Sequence, residues 1–98
     1  MTAYLVGAIN IDDPDEYLRY RDGAVAVLAG FDAEVLTADD TPDVIEGVAP
    51  AGHLFVVKFS SMERLKAFYE SAEYQAIVGY RHRASKAVHI MAMRGLTN

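Results

Sequence analysis

The run HLFVVKFS at residues 53–60 places Phe55, Val57 and Phe59 on one side of an extended chain and Leu54, Val56 and Lys58 on the other, because successive strand side chains point to opposite faces. Aromatic and β-branched residues fill it, which makes it the strongest strand signal in the chain, and both of its faces are apolar. Directly after it, Ser60 and Glu63 have the S-x-x-E spacing of a capping box, and they open a helix whose face carries Met62, Leu65, Phe68, Tyr69 and Ala72. Ser71 interrupts that helix and supplies the cap for a second short one containing Tyr74, Ile77, Val78 and Arg81. Residues 86–95 (KAVHIMAMRG) then read as a strand alternating Val88, Ile90 and Ala92 with His89, Met91 and Met93.

Upstream, residues 4–11 (YLVGAINI) form a short apolar run that stops at Asp-Asp-Pro-Asp, a strand followed by a helix start. Asp13 is the natural N-cap and Pro14 the first helical residue, and Asp15 and Glu16 stand where the helix dipole favours negative charge. The dipole therefore accounts for the acidic cluster without a metal. Tyr17, Tyr20, Ala24, Val27 and Leu28 gather on one face of this helix, which pays about 1 kcal/mol for Gly23 and is expected to end near Ala29, with Gly30 as its C′ residue. Residues 31–38 (FDAEVLTA) alternate like a strand with one wetter face, as suits a sheet edge. The cluster DDTPD at 39–43 is a turn, and 44–52 is irregular or a brief extra strand.

The order strand, helix, strand, strand, helix, strand predicts an α+β domain of the ferredoxin-like βαββαβ type spanning residues 1–98, with a four-stranded antiparallel sheet and both helical units on one face. Helices cover only that face, whereas the third and fourth strands are apolar on both. The uncovered side exceeds what monomers usually expose, so a two-fold homodimer is expected, with a second copy of the sheet as the cover.

Composition narrows the function. Of 98 residues, 52% are hydrophobic and 23% charged, enough apolar content for a core and against disorder. Nine basic against fourteen acidic residues give a charge of −5, which repels phosphate backbones and anionic lipid, so neither nucleic acid nor a membrane is an expected partner. The chain has no cysteine, which excludes thiol catalysis and thiolate metal sites. Neither a basic, cleavable start nor a long apolar run is present, and a soluble cytoplasmic protein is expected. His53, His82 and His89 lack metal-ligand spacing, and no phosphate loop or nucleophile elbow occurs. No metal and no cofactor is expected.

Two arginines break the apolar pattern: Arg21 falls between Tyr17, Ala24 and Leu28, and Arg81 among Tyr74, Ile77 and Val78. A guanidinium aimed at a core needs a carboxylate, carbonyls or an anionic ligand; alternatively each snorkels to water or pairs with an internal acid such as Glu46 or Glu34. Tyr17, Tyr20, Tyr69 and Tyr74 also face inward, and buried phenols either orient a ligand or keep their hydroxyls wet at the core rim.

Ser61, Phe68-Tyr69, Ser71-Ala72-Glu73-Tyr74 and Arg81, together with the Asp-Pro before a helix bearing Tyr17 and Tyr20 and the later Glu46-Gly47, make the chain resemble the bacterial family of domains of unknown function numbered 1330. Phe68 stands where that family commonly has tryptophan, and residues 41–52 are longer than its pattern. The resemblance implies a ferredoxin-like fold dimerising into an α/β barrel, in a superfamily that includes cofactor-free monooxygenases, lactone isomerases and haem enzymes with pockets between sheet and helices. The expectation is thus a small-molecule-binding homodimer, in one reading a cofactor-independent enzyme for an anionic or carbonyl-bearing metabolite. Its candidate site comprises Tyr17, Tyr20, Arg21, Glu46, His53, Tyr69, Tyr74 and Arg81, with arginine holding a carboxylate or enolate oxygen and Glu46 or His53 as base. The alternative is a non-catalytic binding or stress-associated module in which the same residues only stabilise the barrel.

Overall fold

A computed structural model describes residues 1–96. Its elements are β1 (Ala3–Ile11), α1 (Pro14–Ala29), β2 (Glu34–Asp39), β3 (His53–Phe59), α2 (Met62–Glu70), α3 (Ala72–Gln75), α4 (Val78–Ala84) and β4 (Ser85–Arg94). The strands make one antiparallel sheet in the order β2-β3-β1-β4. The two-sided apolar strand β3 therefore lies inside, β2 is an edge as expected, and the ferredoxin-like α+β arrangement holds, with the second helical unit broken into three pieces.

The caps explain where the helices begin. Asp13 accepts a hydrogen bond from the Glu16 backbone N–H at 3.2 Å, with Pro14 leading the helix. α2 starts one residue later than the S-x-x-E spacing suggests: Ser61, not Ser60, accepts from the Arg64 N–H at 3.1 Å. The strand runs through the fully buried Phe59, so Ser60 is used in leaving the sheet. Ser71 both donates to the Phe68 carbonyl at 2.7 Å and accepts from the Tyr74 N–H at 3.1 Å, ending one helix and starting the next.

Two local expectations are corrected, and a third resolves to the irregular one of its two readings. Gly30 ends α1 in a right-handed conformation, and the positive φ of 55° falls on Asp32 instead. Phe31 and Ala33 belong to that turn rather than to a strand; they still pack on the core, which is why their alternation mimics one, and β2 begins at Glu34. Residues 44–52 contain no strand.

On the helix-facing side of the sheet, Ala3 of β1 and Val57 and Phe59 of β3 meet Leu28, Leu65, Phe68, Tyr74 and Val78. Phe68 is the hub, its ring 5.4 Å from Phe59, 5.8 Å from Phe31 and 4.5 Å from Tyr74, in the tilted and edge-on arrangements aromatic pairs prefer. Gly23 is explained by the neighbouring layer: a β-carbon there would lie 3.1 Å from Ile77, so its absence lets α1 settle against the residues leading into α4. On the other side of the sheet, Val6, Val56, Met91 and Met93 share an uncovered face, with Met91 46% and Met93 52% exposed. Among the described residues no helix is long and apolar enough to cross a membrane.

Gly7 pairs across the ladder with Phe55, whose ring fills the space a β-carbon at Gly7 would need. Gly7→Ala must displace that ring, and overpacking of this kind costs about 1–3 kcal/mol. Chemical denaturation is expected to show that loss, and adding Phe55→Leu to recover much of it, because the two changes share one contact.

Candidate functional site

α1 crosses the β2-β3 side of the sheet without closing on it, and the gap is a cleft with an apolar interior and a polar mouth. The inner part, about 120 Å³, is walled by Tyr20, Ala24, Leu28, Phe55, Val57 and Phe68. The outer part, about 460 Å³, is walled by Ile11, Pro14 and Leu18 with Asp40. Tyr17, Arg21, Ala38 and His53 border both.

His53 opens β3, and its Nδ1 lies 2.6 Å from Oδ1 of Asp40, the residue just after β2. The imidazole is mostly enclosed, its side chain 12% exposed, while the Asp40 side chain is 78% exposed. A carboxylate that accepts from Nδ1–H fixes the tautomer whose Nε2 is free to take a proton. Asp40 went unrecognised in the sequence because DDTPD reads as a turn. The hairpin register supplies the missing signal: Asp39 pairs with Leu54, so one step outward Asp40 stands opposite His53.

Tyr17 lies edge-on to His53 with ring centroids 5.7 Å apart and tilts against Tyr20 at 5.5 Å. The Tyr20 and Tyr74 hydroxyls are hydrogen-bonded at 2.8 Å. Burial pushes the Tyr17 phenol up to about 12, although the Arg81 cation works the other way. Tyr20 is pushed up as well, by burial first and then by Tyr74. Arg81 is 4% exposed, its Nε has no hydrogen-bond partner, and its guanidinium lies 5.7 Å from the Tyr20 ring centroid.

Tyr17, Tyr20 and His53 are thus brought together at the cleft, with Tyr74 and Arg81 immediately behind Tyr20. Arg21 joins them at the rim, whereas two other expected residues, Glu46 and Tyr69, do not. Arg21 shares the Ala24–Leu28 face of α1 but is not core-directed: its side chain is 60% exposed and pairs with Asp22 at 3.5 Å, because the cleft leaves that end of the face open. Glu46 is exposed on the 40–52 loop and does not line the cleft. Tyr69 is 40% exposed, since α2 buries Leu65 and Phe68 and the following turn places Tyr74 against Phe68, leaving Tyr69 outside it. Among the described residues no group of three or more His, Cys, Asp or Glu could hold a metal.

A four-stranded antiparallel sheet, helices on one face and a cleft between them define a ferredoxin-like α+β protein. The chain belongs to the family described as Domain of unknown function (DUF1330), whose model matches residues 2–96. Among solved structures it is similar to a protein of unknown function from Rhodopseudomonas palustris, with 12% identity and a TM-score of 0.77 over 99% of this chain and 84% of that one. It is also similar to SnoaB, a cofactor-independent oxygenase from Streptomyces nogalater, with 7% identity and a TM-score of 0.67 over 99% and 95% of the two chains. A third is a dimeric protein of unknown function and ferredoxin-like fold from Bacteroides fragilis, with 11% identity and a TM-score of 0.56 over 96% and 94%. At these identities the likeness is one of fold. No curated protein matches the chain.

The raised phenol sets an alkaline limit. Unfolded, Tyr17 loses its proton near its ordinary value of 10.0; folded, it holds it to about 12, so stability present below the lower value is lost as pH rises through the higher one. Titration followed by tyrosinate absorbance is expected to show a late fraction that ionises together with unfolding. Tyr17→Phe should shrink that fraction and move the unfolding midpoint to higher pH.

Proposed function

We propose that the α1 cleft binds a small, largely apolar molecule bearing one acidic hydroxyl or a proton next to a carbonyl, and that the Asp40–His53 pair removes this proton. The carrying observation is the 2.6 Å contact between His53 and Asp40 at the mouth of an apolar cleft. His53 Nε2 accepts the proton, the electron pair stays on the substrate oxygen as an enolate or phenolate, and the Asp40 carboxylate stabilises the imidazolium that forms. Tyr17 sits against the imidazole as a neutral hydrogen-bond donor at neutral pH, and Arg21 at the rim is placed to attract the developing anion. The fold shared with a cofactor-independent oxygenase is one that can hold a reaction without a bound cofactor, which is compatible with this reading.

1-Naphthol is a suitable probe, being flat, apolar and weakly acidic at one hydroxyl. Its binding, with an increased naphtholate fraction in the absorbance spectrum at neutral pH, is the expected result. In His53→Gln the naphtholate signal should fall by at least about tenfold, equivalent to about 1.4 kcal/mol, and Asp40→Asn should weaken it with the fold intact. Equal binding and an equal spectrum in His53→Gln would instead favour a purely architectural role for these residues.

We also propose that the active form is a homodimer joined through the outer sheet faces. The uncovered Val6, Val56, Met91 and Met93 support it, as does the dimeric Bacteroides fragilis neighbour. An interface of about 1,600 Å² is the standard expected. Sedimentation should give a dimer for the unaltered chain and a monomer for Val56→Asp, which sets a charge at the centre of each face.

A further inference from the structure

A second cavity, about 250 Å³, lies on the other half of the helix-facing side, between α2 and the β1-β4 pair. Leu5, Leu65, Ile90 and Ala92 give it apolar walls, and Arg81 provides a cation. Arg81 is 4% exposed, its Nε is buried with no hydrogen-bond partner, and no described carboxylate forms an ion pair with it. At the rim, Lys66 and Glu70 stand one helical turn apart on α2 and offset each other, so Arg81 sets the sign of the interior.

We propose that this cavity is a binding site for a small monocarboxylate with an apolar body, whose carboxylate is held by the Arg81 guanidinium while its hydrocarbon part rests on Leu65, Ile90 and Ala92. The site is separate from the α1 cleft: Leu5 borders both spaces, but the Asp40–His53 pair borders only the other. The Arg81 guanidinium has the Tyr74 hydroxyl as a hydrogen-bonding neighbour, but its Nε is unpartnered and it has no counter-ion among the described residues; a carboxylate supplies the missing negative charge in the planar, two-oxygen geometry guanidinium recognises. A phosphate dianion suits the place less well, since Glu70 lies at the rim and the chain carries a net charge of −5. The walls favour a ligand with an apolar body over acetate or formate, which would leave most of the cavity empty.

Benzoate is the test probe, and benzamide is its uncharged counterpart of the same shape. In the unaltered protein, calorimetric titration should detect benzoate and not benzamide. In nitrogen-15 spectra the Arg81 Nε–H resonance, identified by its loss in Arg81→Met, should move on adding benzoate. Arg81→Met, which keeps side-chain length and removes charge, should weaken benzoate by about tenfold to a hundredfold, as expected for a charge-assisted hydrogen bond. Ala92→Leu fills the cavity with Arg81 in place and should abolish binding, so the proposal stays testable even where Arg81→Met does not fold. His53→Gln should leave benzoate binding unchanged, which separates this site from the cleft. The proposal is overturned if benzamide binds as well as benzoate, if the Arg81 resonance does not move, if Ala92→Leu binds normally, or if binding follows His53 rather than Arg81.

Discussion

The hydrogen bond between the Tyr20 and Tyr74 hydroxyls ties the helix of the first half of the chain to the helices of the second, across 54 residues of sequence. Each phenol is drawn into the core by its ring, Tyr74 against Phe68 and Tyr20 against Tyr17. Neither hydroxyl would be tolerated there alone, because a buried donor without a partner costs about 1–3 kcal/mol. Together each has a partner, one donating and the other accepting, and the bond fixes how far α1 stands from α3. That spacing decides what is left open: the cleft beside Tyr20 on one side of the pair, and Arg81 with its own cavity on the other.

The cleft's chemistry depends on a second local feature, the irregularity in β2. Val35 pairs with Val57 and Thr37 with Val56, so the register shifts between them and Leu36 is the extra residue. A bulge reverses which side chains face the helices. Without it, Asp39 would face the helical layer; with it, Val35 and Ala38 do, and Asp40 arrives opposite His53. One inserted residue on an exposed edge strand thereby moves the position opposite His53 from Asp39 to Asp40.

That is also why the fold was legible and the site only partly so. The strand at 53–59, the Asp13-Pro14 start and the serine at 71 express themselves through periodicity and capping, which depend on neighbours in sequence and survive in the structure nearly residue for residue. The two apolar faces of β3 marked an interior strand in the same way. Site residues depend instead on neighbours in space. Helical angles alone put Arg21 and Tyr69 inward, but a helix buries only what its neighbours cover; the open cleft lies beneath Arg21, and Tyr74 occupies the position at Phe68 that left Tyr69 outside. Glu46 rested on the family resemblance, and a loop of this length carries it away from the sheet. Asp40 needed the bulge, which no pattern in EVLTAD reveals.

Tyr74 and Arg81 sit side by side and meet burial differently. The phenol pair shares one hydrogen bond and carries no charge that needs a counter-ion. The guanidinium does carry one: burial works against its charge, yet the phenols of Tyr74 and Tyr20, and Tyr69 beyond them, hold its pKa above the ordinary guanidinium value. The ring of Tyr20 at 5.7 Å adds a cation–π attraction. These neighbours stabilise the cation without neutralising it. In purely architectural terms an apolar side chain of similar volume serves such a position as well or better, since replacing buried ionic groups by hydrophobic ones is often neutral or stabilising. A domain of this size has only about 5–15 kcal/mol of net stability to set against such a cost. The arrangement of rings and hydroxyls around Arg81 therefore leaves a buried cation whose charge no carboxylate among the described residues balances.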